Sequence, residues 1–167
     1  MSALLASGLL AASMLPQTAV AGEFSRTTMN KMGIFLSNFT TGSTTELRHA
    51  LTDLRSQGMQ RLVLDLRDNG GGSIDEAVNI VNLFVPKGEK VVYTRGKLAS
   101  SNRDYYTPSE PLDTVTPIVV LVNGSTASSA EILSGSLQDM DRAVVMGSRT
   151  YGKGLVQAIH EVPYRGN

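Results

Sequence analysis

The chain has no cysteine, which removes disulfides, thiolate zinc sites and a thiol nucleophile together. It has only two histidines, His49 and His160, far apart in sequence and a poor basis for a histidine-rich metal site. Charge bias is also missing. Fifteen Lys and Arg balance fifteen Asp and Glu, so there is no bulk positive field to grip nucleic acid or an anionic membrane. No long apolar run exists either: Ala3 to Leu15 is broken by Ser7, Gly8 and Ser13 and is too short to span a bilayer. No internal repeat, heptad or low-complexity tract is present. Any chemistry must come from Ser, Lys, Asp, Glu or backbone groups, and neither cofactor nor metal is expected.

What is present fits one globular domain. The 167 residues are 41% hydrophobic and 18% charged, too apolar for a disordered chain. Glu23 is the first charged residue and Arg26 the first positive one. Ala19-Val20-Ala21 before Gly22 has the small-residue form of an export cleavage site, but no basic residue lies near Met1. Residues 1–21 therefore stay open between an export signal and a segment foreign to the domain, and residues 22–167 read as the domain itself.

Periodicity predicts alternating strands and helices. Met32 to Phe39 reads as a strand, and Ser43 with Glu46 as a capping box ahead of a helix carrying Leu47, Ala50, Leu51 and Leu54 on one face. Gly58 suits the end of that helix. Arg61 to Leu66 reads as a strand. Ser73 and Glu76 form a second capping box, and the helix after it runs through Val81 and Phe84 to a stop at Pro86. Lys90 to Thr94 is a strand, and Gly96 to Thr116 a polar loop whose Tyr105 and Tyr106 suit a flap over a site. Ile118 to Val122 reads as a strand buried on both faces, Ala127 to Leu137 as a helix, and Ala143 to Met146 and Leu155 to Val162 as strands. This alternation predicts an α/β fold with a largely parallel sheet.

Three turns following apolar strands draw attention, since open α/β sheets place their sites at the carboxyl ends of strands. Asp68-Asn69-Gly70-Gly71-Gly72 lets the backbone turn sharply and aim N–H groups at an anion, or simply makes a tight strand-to-helix turn. Asn123 to Glu131 puts Ser128 at a helix N-terminus, with the Ser129 amide beside it as an oxyanion donor; a cluster of capping serines is the bland equivalent. Gly147 to Gly154 nearly spells the phosphate loop G-x-x-x-x-G-K followed by Ser or Thr, but Gly154 stands where the hydroxyl is needed and no helix signal follows. Asp65 would be the matching carboxylate of a nucleotide site. The second and third turns together hold the parts of a Ser–Lys dyad. A lysine accepts a proton only when neutral, so Lys153 needs apolar packing, which its flanking glycines permit; a solvated loop lysine is the alternative.

The stretches L-V-L-D-L-R-D-N-G-G-G (62–72), P-I-V-V-L-V-N-G-S-T-A-S-S-A-E-I (117–132) and G-S-R-T-Y-G-K-G-L-V-Q (147–157) together resemble the C-terminal processing peptidases, or tail-specific proteases. The resemblance implies a crotonase-like, ClpP-like α/β protease core. It implies Ser128 as nucleophile, Lys153 as general base 25 residues on, and Gln157 as the polar partner of the lysine. The implied oxyanion hole comprises the backbone N–H of Ser129 and of a glycine in the 70–72 run, Gly72 ahead of Gly71. Polypeptides bound in extended form are the implied substrates, cut near their C-termini through an acyl-enzyme, in an extracytoplasmic setting such as the periplasm or cell envelope.

Two departures stand out. The family usually shows A-S-A-S-E where this chain has A-S-S-A-E, which makes Ser129 an alternative nucleophile, although alignment on Glu131 and Lys153 favours Ser128. Family members commonly carry a PDZ domain before Met32 and more strands after Val162; neither is read here, so the expectation is a truncated core. Two rivals are a non-catalytic ligand-binding relative of the same fold and a nucleotide-binding protein using residues 147–153.

Overall fold

The computed structural model describes residues 27–30 and 33–157. The segment 1–21, the expected strand residues 158–162 and His160 lie outside these. Among the described residues, seven strands and three α-helices follow one another: β1 (Thr27–Asn30), β2 (Gly33–Leu36), α1 (Ser43–Ser56), β3 (Leu62–Asp65), α2 (Ile74–Val81), β4 (Lys90–Thr94), β5 (Arg103–Tyr106), β6 (Ile118–Val122), α3 (Ser129–Asp139) and β7 (Ala143–Gly147). The main sheet has the order β1-β2-β3-β6-β7; β2, β3, β6 and β7 are parallel, and β1 runs antiparallel to β2. The predicted α/β class with a mostly parallel sheet is what the chain forms.

The sheet grows in one direction, each parallel step crossing through a helix. Crossovers of one hand that all step the same way lay their helices on the same face. That face is the core: Ile34, Leu36, Leu62, Leu64, Ile118, Val120 and Val122 meet Leu47, Leu51, Ile80, Leu133 and Leu137 from the helices. The β6 run is therefore not buried on both faces as its unbroken apolar sequence predicts. Ile118, Val120 and Val122 are buried, while Val119 and Leu121, on the opposite face, are half-buried among the described residues.

Local signals set the helix ends. Gly58 follows α1 at φ 83°, its N–H bonded to the Arg55 carbonyl and that of Met59 to the Leu54 carbonyl, the left-handed stop predicted for it. The start of α1 differs from expectation. Gly42 is its N-cap, and the Ser43 hydroxyl turns back to donate to the Thr40 carbonyl at 2.7 Å. The acid that serves this terminus is Glu76, whose carboxylate accepts the N–H groups of Gly42 and Thr44 at 3.0 and 2.8 Å. Ser73 does cap α2, accepting the Glu76 N–H at 3.3 Å. Glu76 thus abandons the return half of its own box for a helix more than thirty residues away, where two orphan N–H donors need an acceptor. The helix α2 stops at Val81, short of Phe84, as the chain tightens into turn bonds from Leu83 to Ile80 and from Phe84 to Val81.

The expected flap is a hairpin instead. Residues 103–106 fold back on β4 as the antiparallel strand β5, and Arg95, Arg103 and Lys90 stack over Tyr93, Tyr105 and Tyr106 respectively. Lys90 over Tyr106 and the ion pairs of Lys90 and Arg95 with Asp104 link the two strands, partners that a polar-loop reading overlooks.

Candidate active site

The site begins where β3 and β6 end side by side. Beyond the ladder both chains turn, and the turns touch. The Ala127 N–H donates to the Asn69 carbonyl at 2.9 Å, and the Thr126 hydroxyl to the Leu66 carbonyl at 2.8 Å. Gly71 sits at φ 95°, and a Cβ there would lie 2.8 Å from Ser128 Cβ and 2.7 Å from the Ala127 carbonyl oxygen. Only glycine permits both that backbone and that approach.

Ser128 is the N-cap of α3 and holds φ 56°, ψ −119°, a conformation rare for a residue with a side chain. It is half-buried. Ser129 differs: it is fully buried, and its hydroxyl donates to the Gly72 carbonyl at 2.9 Å. Its N–H belongs to the first residue of α3, one of the donors a helix start leaves without an intrahelical acceptor. On the glycine side, Gly71 gives its N–H to Asn69 Oδ1 at 2.8 Å. A parallel bridge with Phe39 uses the Ser73 N–H and the Gly71 carbonyl, and leaves the Gly72 N–H out of the pairing.

The third turn approaches from β7. Gly147, at φ 135°, passes so close that a Cβ would fall 1.9 Å from the Val122 carbonyl oxygen. The chain then returns over the turn that carries Ser128, the Tyr151 N–H bonding to the Thr126 carbonyl at 3.0 Å. Lys153 is half-buried, and its Nζ donates to Gln157 Oε1 at 3.2 Å. The expected lysine–glutamine pair is thus in contact. Among the described residues no hydrogen bond joins Ser128 Oγ to Lys153 Nζ.

A fourth residue links the two turns. Glu131 Oε2 accepts the N–H groups of Ser128 and Lys153 at 2.8 and 2.9 Å, and Oε1 accepts the Thr150 hydroxyl and the Gly152 N–H at 2.7 and 2.6 Å. Burial pushes this carboxyl up, but the bonds from Thr150, Gly152, Ser128 and Lys153 outweigh it and hold it below the ordinary glutamate range. Sequence reasoning used Glu131 only to align the motif. Its signal was available in the Ser-x-x-Glu spacing from Ser128, a capping-box pattern.

Between these turns lies an open cleft of about 480 Å³, lined by Gly70, Ala127, Tyr151 to Leu155 and Gln157. Tyr151 and Leu155 are 70% and 77% exposed, so the rim is apolar and wet. Tyr105 and Tyr106 do not line it. The near-phosphate loop spends its Gly152 and Lys153 N–H groups on Glu131, and residues 155–157 form neither helix nor the strand expected of them. Asp65, the other half of a nucleotide site, is paired with Arg67 at 2.6 Å. A loop whose donors already face an internal carboxylate is ill suited to cradle phosphate. Among the described residues there is no cluster of acidic and histidine side chains able to hold a metal ion, and no helix is long and apolar enough to cross a membrane.

Comparison with known proteins places the chain in a family. The model for peptidase family S41 matches residues 32–167. The chain belongs to peptidase family S41. Among relatives of this S41 chain, the chloroplastic C-terminal processing peptidase of Tetradesmus obliquus is 41% identical over 127 residues, 74% of this chain and 26% of that protein. The carboxyl-terminal-processing protease of a Picosynechococcus species is 42% identical over 130 residues, 78% of this chain and 31% of the relative. A solved photosystem II D1 C-terminal processing protease superposes with TM-score 0.68 at 38% identity, covering 75% of this chain and 32% of the other. The S41 chain thus spans between about a quarter and a third of the length of these relatives.

Proposed function

We propose that this S41 chain carries the catalytic centre of a serine endopeptidase that cleaves polypeptides near their C-termini, with Ser128 as nucleophile and Lys153 as general base. The observation that carries the reading is the Glu131 carboxylate, which holds the Ser128 and Lys153 backbones on a single oxygen. Two contrasts support Ser128 over its neighbour. Ser128 is half-buried at the cleft end of α3, whereas the Ser129 hydroxyl is buried and committed to Gly72.

In this mechanism a peptide lies extended across the cleft against Tyr151, Leu155 and Ala127. Its cover over the half-buried Lys153 excludes water from the reacting groups. Ser128 Oγ attacks the scissile carbonyl carbon as Lys153 Nζ takes the hydroxyl proton, while Gln157 Oε1 orients Nζ. The developing oxyanion is met by the N–H groups of Ser129 and Gly72; Gly71, whose N–H serves Asn69, takes the role of close packing instead. Collapse breaks the C–N bond, Lys153 returns the proton to the leaving amine, and water then hydrolyses the acyl-serine. The parallel sheet with helices on one face is consistent with the crotonase-like arrangement the motifs imply. The extracytoplasmic setting that the family resemblance implies is part of this proposal.

The test is cleavage of an unstructured polypeptide with mapped products. Ser128→Ala and Lys153→Ala should each abolish turnover while Ser129→Ala retains it. Activity in Ser128→Ala with loss in Ser129→Ala would move the nucleophile one residue on.

A further inference from the structure

We propose that Asp68 and Asn123 are a positioning pair that sets the spacing between the two arms of the oxyanion hole. The proposal rests on the Ser–Lys peptidase reading. Asp68 opens the glycine turn four residues before Gly72, and Asn123 opens the nucleophile turn five residues before Ser128. Each bonds the other reciprocally: the Asp68 N–H donates to Asn123 Oδ1 at 3.0 Å, and Asn123 Nδ2 donates to Asp68 Oδ1 at 2.9 Å.

Their place in the fold explains why a directional clamp is useful there. The β3–β6 ladder ends with the Leu66 N–H bonded to the Leu121 carbonyl, and beyond it the two turns meet through the Thr126–Leu66, Ala127–Asn69 and Ser129–Gly72 bonds, with the Asp68–Asn123 pair as the reciprocal side-chain link. Asn123 Oδ1 also accepts the Ser125 N–H at 3.1 Å, while the Asn123 N–H bonds to the Thr126 hydroxyl at 3.0 Å. The amide therefore shapes its own turn as well as gripping the other. Asp68 holds φ 62°, a conformation aspartate tolerates better than most residues and one that directs the chain into the glycine run. Asp68 is exposed and Asn123 half-buried. Hydrogen bonds at such a site contribute little to global stability, because water replaces them at small cost. Their value lies in geometry: one arm carries the Gly72 N–H and the other the Ser129 N–H, and donors help only at the right distance from the oxyanion. Neither side chain need touch the substrate.

The pair can be swapped, which makes the claim testable. Asn123→Asp sets two carboxylates against each other. Asp68→Asn alone keeps an acceptor for Asn123 Nδ2, and the double variant Asp68→Asn with Asn123→Asp restores a reciprocal amide–carboxylate pair. In the full chain, with active sites titrated, Asn123→Asp should lower kcat about 10- to 100-fold with little change in KM. Affinity for a peptide aldehyde, whose hemiacetal oxygen occupies the oxyanion hole, should fall in parallel. The double variant should return both to within a few-fold of Asp68→Asn. Should Asn123→Asp fail to fold, Asn123→Ala removes both bonds of the pair without the repulsion and should show the same kcat loss. Wild-type kcat in the variants that break the pair, a loss confined to KM, or a loss the swap does not restore would overturn the proposal. Ser128→Ala, run alongside, should be inactive; cleavage by that variant would overturn the underlying dyad as well.

Discussion

Glu131 Oε2 accepts the backbone N–H of Lys153 at 2.9 Å, and the same oxygen accepts the Ser128 N–H at 2.8 Å. With Thr150 and Gly152 on Oε1, both oxygens of this carboxylate are occupied by donors. A carboxamide cannot replace it, since its NH2 group would face N–H or O–H donors. Glu131→Gln should therefore lower kcat by about 100-fold, as expected for misplacing reacting groups by about 1 Å, while KM changes less. Steady-state kinetics on one peptide checks both numbers.

The dyad should behave as a unit. If Ser128 and Lys153 act in one proton-coupled step, Ser128→Ala combined with Lys153→Ala should be little slower than either single variant. Progress curves with the three proteins at equal concentration decide this. Multiplicative losses would mean that the two residues act in separate steps.

Gly71 tests the contact between the turns. An alanine there must adopt φ 95° and place Cβ 2.7–2.9 Å from Ala127, Ser128 and Ser129 atoms. Gly71→Ala should lower the melting temperature and reduce kcat by at least about tenfold. Gly70→Ala meets no atom within 4 Å and serves as its control, expected to keep the wild-type melting temperature.

The fold was legible in the sequence where patterns are local. Gly58 marked the end of α1, and the alternating strands and helices predicted a parallel sheet. The site was legible as separate turns, and Lys153 with Gln157 came together as expected. What escaped were bonds made between turns. Glu76 leaves its own helix to cap α1, and Glu131, beyond the Ser128 bond that its Ser-x-x-Glu spacing encodes, reaches residues 150–153; neither distant partner is encoded in local spacing. The unbroken apolar run of β6 misled for a related reason, because an apolar residue on an open sheet face looks the same in sequence as one in the core.

Acid stability offers a test away from the cleft. Asp113 is buried; burial pushes its carboxyl up, but the Thr116 hydroxyl and N–H, the Val115 N–H and Arg55 overcome this and hold it below the usual aspartate range. A carboxyl lowered on folding stabilises above its unfolded value near pH 4, and that contribution fades as the pH falls through the folded value. Glu131 contributes with the same sign. Asp113→Asn should cost about 1–3 kcal/mol at pH 7, roughly 3–10 °C in Tm, and less at pH 3. Thermal melts across this range would contradict the assignment if the difference grew on acidification.

The nucleophile can be located directly. Incubation with a serine-reactive phosphonate, followed by peptide mapping by mass spectrometry, should place one adduct on Ser128. Labelling should be much slower in Lys153→Ala, because the hydroxyl then lacks its base. An adduct on Ser129, or labelling of Ser128 at the same rate without Lys153, would contradict the Ser–Lys assignment.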